Sequence, residues 1–283
     1  MPKREAFKYG RGRCIFCGKQ PPEIEMSQEH IFADWLRDYI PRQLTDHRTQ
    51  RTFVDLEKEE VSERRRTGDP HARRVRCVCK TCNNGWMGRL QENVRPFLVP
   101  MLTGKSIRLH KRAQTILAAW IAMTTMVAEY VDRELVSVPQ SDRDWLYQHK
   151  TAPKCWRIWV AGGKRQTYAL HSHRALIMIS PEEEIESVPV DARRAANTQT
   201  TTLCLGKHLI VHAMSSVVAW SIIRRWKLPA PIRDLHDQIW PIRVGIVVWP
   251  QAHSLNDAGI ALLTDNFFDA ATRLMRERAR GSS

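Results

Sequence analysis

The sequence predicts an α+β fold in two parts that meet near residue 100. In residues 1–100, paired cysteines occur with an acid–histidine dipeptide and an asparagine, as in a small metal-containing domain. In residues 101–283 that pattern stops, and a long apolar helical stretch precedes several alternating segments typical of strands. A hydrophobic fraction of 43% can supply a core to each part. We therefore expect a small N-terminal domain, residues 1–100, and a larger α+β domain, residues 101–283.

Four cysteines are spaced as zinc ligands. They are Cys14, Cys17, Cys79 and Cys82. Each Cys-x-x-Cys pair makes a tight turn that directs two sulfurs towards one ion, and a closed set of four thiolates leaves no coordination position open. The pattern therefore predicts a structural Zn²⁺ site. Cys77 is a competing ligand, because in a strand it shares a face with Cys79.

Closing that site would bring three polar side chains together. Glu29 and His30 lie between the cysteine pairs, and Asn83 follows the last cysteine. Carboxylate and amide oxygens suit a hard divalent ion such as Mg²⁺ or Mn²⁺, and an imidazole can accept a proton from water near neutral pH. We predict that Glu29 and Asn83 bind a catalytic ion and that His30 is the general base. Asn84 is an alternative to Asn83.

The order of these motifs resembles that of the HNH (ββα-metal) nucleases. Residues 12–97 contain Cys14-x-x-Cys17, then Glu29-His30, then Cys79-x-x-Cys82-Asn83, as in the zinc-stapled branch that includes phage junction-resolving endonucleases. The resemblance implies an N-terminal zinc-stapled ββα-metal (HNH) domain that hydrolyses DNA phosphodiester bonds, leaving a 5′-phosphate and a 3′-hydroxyl. It also implies nicking, or double-strand cleavage by a dimer, in a phage, mobile-element or antiviral defence setting.

Two departures from the family pattern are visible in the sequence. Glu29 stands where the resolvase-like members have Asp, which moves the carboxylate about one methylene further from the backbone. No asparagine occurs between Ile31 and Cys82, so the middle asparagine of many HNH members has no counterpart. A zinc module that binds nucleic acid without cutting it, and a nuclease that acts on RNA, are therefore alternatives.

The charge balance favours a polyanionic partner. Lys and Arg number 44 against 30 acidic residues, for a net charge of +14, and the excess extends to both sides of residue 100. Basic side chains that neutralise phosphates release condensed counterions, which favours binding. Because the resemblance implies a DNA substrate, we expect double-stranded or branched DNA as this partner. A basic protein without a polyanionic partner is the alternative. The arginines in 64–66 and 73–76 either contact a nucleic-acid backbone or belong to a solvated loop.

The sequence also predicts the compartment. Four of the seven cysteines are at zinc spacing, which favours a reducing environment, and no apolar signal segment follows Met1. The uncharged run from Ala113 to Ala128 falls short of the roughly 20 residues of a membrane span. We expect a cytoplasmic protein with no membrane partner.

Secondary structure in the first part follows from local patterns. A short helix is expected after His30, ending before Pro41, and an inserted hairpin or flexible loop over 42–74. A strand is predicted from Val75 to Cys79. A helix is predicted from Asn83 to Phe97, terminated by Pro100.

The second part should contain a long helix, Lys111 to Val131, and a hairpin in which Trp156–Val160 and Gln166–His171 flank Ala161–Lys164. A final helix is predicted from Asp265 to Arg280. Four further strands are expected at Arg174–Ile179, Thr201–Leu205, Lys207–Met214 and Ile242–Val248. The histidines of this part are expected to be core or surface residues rather than a second metal site. His171 and His173 alternate in one predicted strand, and His208 and His212 flank another. We expect this part to support targeting, a homodimer or a protein complex.

Overall fold

The computed structural model describes residues 12–41, 47–55, 60–69, 71–164, 169–177, 197–216, 228 and 230–266. Its strands are β1 (Glu29–His30), β2 (His47–Asp55), β3 (Glu60–Thr67), β4 (Arg74–Val75), β5 (Ile107–His110), β6 (Trp156–Gly163), β7 (Ala169–Ile177), β8 (Thr198–Leu205), β9 (Leu209–Ser216), β10 (His236–Trp240), β11 (Ile246–Trp249) and β12 (Ser254–Leu255). Its α-helices are α1 (Lys80–Cys82), α2 (Gly88–Leu102), α3 (Lys111–Ala128), α4 (Gln140–His149), α5 (Ala230–Arg233) and α6 (Asp257–Ala261). This mixture of helices and sheets confirms the predicted α+β class.

Short helical turns complete the described elements. Two are π-helical, at Asn83–Met87 and Leu262–Asn266, and the 3-10 helices are Asp34–Asp38, Glu129–Val131 and Arg133–Leu135. The short helix predicted before Pro41 and the long helix predicted from Lys111 are thereby confirmed. The predicted terminal helix, Asp265 to Arg280, lies outside the described residues beyond Asn266. None of the helices in the described ranges combines the length and apolar character needed to cross a bilayer.

A small two-stranded sheet and the helix after it form the N-terminal unit. β1 and β4 are antiparallel, with Glu29 opposite Val75 and His30 opposite Arg74. The predicted strand up to Cys79 is shorter than expected: after β4 the chain makes only an isolated bridge, between Met26 and Cys79. The chain then becomes helical at Lys80. Two antiparallel segments thus lead directly into a helix.

The expected helix end at Pro100 is wrong. α2 continues to Leu102 with Pro96 and Pro100 inside it. Proline removes one backbone donor and usually ends a helix. Here Val94, Leu98 and Met101 are fully buried in the core on one side of α2, so packing outweighs the lost backbone bonds.

The insertion between β1 and β4 is a hairpin. β2 and β3 pair antiparallel, and β2 also pairs in parallel with β7 from the second part of the chain. The predicted hairpin is thus confirmed for the described residues of 47–67. β3, which carries Arg64, Arg65 and Arg66, is the last strand on this side of the described sheet.

An eight-stranded sheet dominates the second part. Its order is β10-β6-β9-β8-β7-β2-β3, and β12 pairs in parallel with β6. The predicted hairpin of β6 with β7 is wrong, because β9 and β8 lie between them. The glycines that suggested a turn belong to β6 itself. A Cβ on Gly163 would lie 3.0 Å from the Lys207 carbonyl oxygen, so a close backbone approach explains that glycine.

The core lies on both faces of this sheet. All eight residues of β6 are buried, which requires cover on each side. One apolar cluster joins residues from both sides of position 100, including Phe16, Leu98, Trp120 and Trp156. A second cluster contains Trp159 and the final described segments. The division into domains at residue 100 stays a prediction, and the packing across that position is continuous.

Candidate functional site

Four cysteine sulfurs lie together beside the N-terminal end of α1. Their ligand atoms are all within 4.8 Å of one another, and they belong to Cys14, Cys17, Cys79 and Cys82. Within the described ranges, no other group of three or more His, Cys, Asp or Glu side chains meets this criterion. The cluster could hold a metal such as zinc, which takes four thiolates in structural sites. Cys77, the competing ligand, is buried but outside the cluster.

Local backbone geometry builds this cluster from two turns. Gly18 has a φ of +71°, a conformation that glycine adopts readily, and its N–H donates to the Cys14 carbonyl at 3.0 Å. In the second turn the Cys79 sulfur accepts from the Cys82 N–H at 3.3 Å and so caps the helix. A 2.9 Å bond from the Ile15 N–H to the Cys77 carbonyl joins the two turns.

The four thiols affect one another's ionisation. A hydrogen bond from Cys82 is the main influence that lowers the pKa of Cys14, to about 5. Burial raises the pKa of Cys17 to about 11, and the hydrogen bond to Cys14 raises that of Cys82. Sulfurs this close cannot all ionise without a cation between them. The donor set therefore fits a divalent ion that binds thiolates.

Glu29 and Asn83 meet where the small sheet joins the helix. Glu29 is in β1 and Asn83 is the first residue of the π-helical turn, and the Asn83 side chain interacts with the Glu29 carboxyl and opposes the rise in its pKa. The Asn83 Nδ2 also donates to the Ser27 Oγ at 2.9 Å. The neighbouring Asn84 is exposed, so the structure places Asn83 rather than Asn84 beside Glu29.

The Glu29 carboxyl is poorly solvated. Burial is the main influence that raises its pKa, to about 7; the hydrogen bond from Asn83 opposes the shift and the negative charge of Asp34 adds to it. A cation at this carboxyl would favour its charged form. A carboxylate and an amide oxygen are ligands that Mg²⁺ and Mn²⁺ accept, and the binding of such an ion by Glu29 and Asn83 stays a prediction.

His30 has a different set of partners. Its Nδ1 lies 3.2 Å from the Asp34 Oδ1, and its Nε2 accepts a 2.7 Å hydrogen bond from the Arg74 Nε. Burial is the main influence that lowers its pKa, opposed by Asp34. The imidazole is therefore neutral at neutral pH, as a general base requires.

The structure thus brings Glu29 together with Asn83 and places His30 at the next position of the same strand. Successive side chains of a strand point to opposite faces, and the contacts of His30 are with Asp34 and Arg74. Joint action of all three residues on one ion stays a prediction.

The sequence did not reveal the contacts of Asp34 and Arg74 with His30, although Arg74 was among the arginines expected near a nucleic-acid backbone. The i, i+4 spacing of Asp34 from His30, in a segment predicted as a helix, was a usable signal. Arg74 had no comparable signal, because its contact depends on the register of β1 with β4.

Basic side chains surround His30. The Arg37 guanidinium lies 3.0 Å from the Asp34 Oδ1. Arg74 is exposed on β4, opposite His30, and Arg76 is exposed just after β4. These basic side chains attract phosphate groups.

The histidines of the large sheet have local partners. His171, His173 and His212 are buried, and His208 is exposed. The Nδ1 of His173 hydrogen-bonds to the Thr201 Oγ1 at 2.8 Å. The Nδ1 of His212 does the same with a threonine of β8, at 2.9 Å. These contacts are those of core histidines.

Comparisons of the chain with models of protein families, with curated proteins and with solved structures gave no significant match. The resemblance to HNH nucleases therefore depends on the motif residues and their geometry alone.

Proposed function

We propose that this chain is a metal-dependent endonuclease that hydrolyses DNA phosphodiester bonds at a ββα-metal site. One observation carries the proposal: the Asn83 side chain lies close enough to the Glu29 carboxyl to oppose the rise in its pKa, and His30 is the next residue of β1. These are a carboxylate, an amide oxygen and an imidazole, the groups that metal-assisted hydrolysis of a phosphodiester uses.

Each residue has a separate role in this proposal. Glu29 and Asn83 would hold Mg²⁺ or Mn²⁺, which stabilises the negative charge that develops on the phosphate oxygens. His30 takes a proton from the attacking water as the water oxygen bonds to phosphorus. The bond from phosphorus to the 3′ oxygen breaks, and that oxygen takes a proton from solvent water. Arg37 and Arg74 hold the phosphate charge in place. The products are a 5′-phosphate and a 3′-hydroxyl.

The cysteine cluster supports this site indirectly. We propose that it binds Zn²⁺ and holds the two turns together, so that β1 and the start of the helix stay in contact. None of the seven cysteines forms a disulfide in the structure, which suits a reducing compartment such as the cytoplasm.

Nicking of supercoiled plasmid DNA tests the proposal. The zinc-loaded protein should convert it to open circles with added Mg²⁺ or Mn²⁺, and His30→Ala should lower the rate about 100-fold or more. His253→Ala is the matched control, because His253 is exposed and far along the chain from the site. Failure of the wild type to cut DNA or RNA with either ion would refute nuclease activity.

The nucleic acid is tested by the same assay with matched substrates. DNA and RNA of one sequence, each in duplex and branched form, are incubated in parallel with the protein. Faster cleavage of DNA is the expected result. Preferential cleavage of RNA would replace DNA as the substrate while leaving the nuclease chemistry in place.

A non-catalytic nucleic-acid-binding module is the second candidate. The observation that favours it is the hydrogen bond from the Arg74 Nε to the His30 Nε2. This bond occupies the nitrogen that a general base would use to accept a proton from water. In that case the wild type and His30→Ala would bind DNA alike, and neither would cut it.

One site of this kind cuts one strand. Double-strand cleavage would therefore require a dimer or two successive events, and we propose that residues 101–283 support targeting or assembly. Phage, mobile-element or antiviral defence systems are the biological setting that we propose.

A further inference from the structure

The two ring nitrogens of His30 have partners of opposite character. The Arg74 Nε can only donate a hydrogen bond, and it points at the Nε2 from 2.7 Å. The Asp34 carboxylate can only accept, and its Oδ1 lies 3.2 Å from the Nδ1. The side chain of His30 is 12% exposed and that of Asp34 is 65% exposed, so the pair lies at the edge of the site.

These contacts select one tautomer. Because Nε2 must accept, it carries a lone pair, and a neutral imidazole then has its proton on Nδ1. The carboxylate of Asp34 independently favours a proton on Nδ1. Both partners therefore make Nε2 the basic nitrogen.

We propose that Asp34 is a positioning residue that keeps His30 in the Nδ1–H tautomer, and that Arg74 covers the basic Nε2 until a phosphodiester group binds the Arg74 guanidinium. This inference rests on the proposed nuclease function. It adds a residue that orients the base and a contact that protects it before the substrate arrives.

Arg74 is suited to exchanging its hydrogen bond with His30 for one with a phosphate group. Its side chain is exposed, and a guanidinium forms charge-assisted, often bidentate hydrogen bonds with phosphate, which are stronger than its bond to a neutral imidazole. When phosphate binds Arg74, the Nε2 lone pair becomes available to a water molecule. Asp34 then keeps the proton on Nδ1 by itself, as the carboxylate of a hydrolytic triad does for its histidine.

Asp34 is itself held on the protein surface by Arg37. The Arg37 guanidinium lies 3.0 Å from the same Oδ1 that faces the His30 Nδ1. Since Asp34 and Arg37 belong to the same 3-10 helix, that helix sets the position of the carboxylate.

NMR of the imidazole nitrogens tests the tautomer without any need for activity. In zinc-loaded protein at pH 8 without Mg²⁺, the wild type and Arg74→Ala should both carry the His30 proton on Nδ1. The double variant Asp34→Ala/Arg74→Ala should populate both tautomers. Asp38→Ala and Arg76→Ala, two exposed neighbours, are the controls and should leave the tautomer unchanged. A loss of the Nδ1–H preference in Arg74→Ala alone would overturn the role of Asp34.

Addition of a short DNA duplex tests the exchange at Arg74. The Nε–H signal of Arg74 and the Nε2 signal of His30 should both shift, while Nδ1 keeps its proton. DNA binding by Arg74→Ala should weaken, and the salt dependence of log Kd should fall by about one unit of slope. Unchanged Arg74 signals in DNA-saturated protein would overturn this part of the proposal.

Steady-state kinetics distinguishes the role of Asp34 from that of Arg74. Asp34→Ala should lower kcat about tenfold with little change in KM, because the base loses its orientation. Asp34→Asn should recover part of kcat, since its amide oxygen can accept from Nδ1. Arg74→Ala should raise KM instead. If the wild type never cuts nucleic acid, the proposed function fails, and the tautomer measurement still decides whether Asp34 positions His30.

Discussion

The Asn83 Nδ2 donates a 2.9 Å hydrogen bond to the Ser27 Oγ, although the two residues are 56 positions apart. This bond ties the start of the helix to the segment that precedes β1. It restrains the Asn83 side chain, which interacts with the Glu29 carboxyl. The candidate ion site is therefore positioned by a residue that contributes no ligand.

Ser27→Ala removes that bond. We expect a loss of about 1 kcal/mol in the free energy of unfolding and a weaker apparent affinity for Mn²⁺, because the Asn83 side chain gains rotational freedom. Denaturant unfolding and Mn²⁺ titration measure the two effects. An unchanged Mn²⁺ affinity would show that Ser27 does not position Asn83.

Cys79→Ser should remove zinc and the folded state of the N-terminal unit together. The Cys79 sulfur belongs to the cluster and also caps the helix, so its loss affects both. Metal analysis of the purified protein and circular dichroism measure the outcome. Cys155→Ser is the control, because Cys155 lies outside the cluster and its serine can keep the contact with Asp142. A Cys79→Ser protein that is stable and fully metallated contradicts the zinc assignment.

The buried His212 should make the folded protein less stable in acid. Burial lowers its pKa from 6.5 in the unfolded chain to about 3. The stability contributed by the neutral imidazole is therefore complete above pH 6.5 and is lost as the pH falls towards 3. Between pH 7 and 4.5 the wild type should lose about 2–3 kcal/mol more than His212→Gln, which cannot titrate. His253→Gln, at an exposed position, should behave as the wild type.

A buried ion pair joins α4 to the 3-10 helix that follows α3. Arg143 donates to the Glu129 carboxylate, which also accepts from the N–H groups of Ser137 and Val138. Arg143→Ala leaves that carboxylate without its counter-charge and should cost about 3–5 kcal/mol. Burial raises the pKa of Glu129, so the destabilisation should shrink in acid, where the carboxyl is protonated. Chemical denaturation at pH 5 and pH 8 measures the difference; equal losses at both values would contradict it. Arg133→Ala, at an exposed position, is the control.

Local patterns predicted the cysteine cluster and the two longest helices of the described chain. The paired spacing of Cys14 with Cys17 and of Cys79 with Cys82 depends only on turn geometry. The uncharged run in α3 is so long that a buried helix could be predicted from the sequence alone. Spacing also favoured Asn83 over Asn84, and the structure places Asn83 beside Glu29.

Features that depend on long-range pairing were missed. Proline at position 100 predicted a helix end, and burial of the opposite face of α2 carried the helix past it. Ala161-Gly162-Gly163 resembled a turn, whereas the partner of β6 is β9, some fifty residues further along the chain. Arg74 reaches His30 through the register of β1 with β4, which no local pattern contains.

Paramagnetic broadening by Mn²⁺ shows whether Glu29 and Asn83 hold a divalent ion beside His30. Mn²⁺ is titrated into zinc-loaded protein, and the imidazole signals of His30 and His253 are followed by NMR. The His30 signals should broaden first, and Glu29→Gln and Asn83→Ala should each abolish the effect. Equal broadening of His30 and His253, or a response that survives both substitutions, would contradict it.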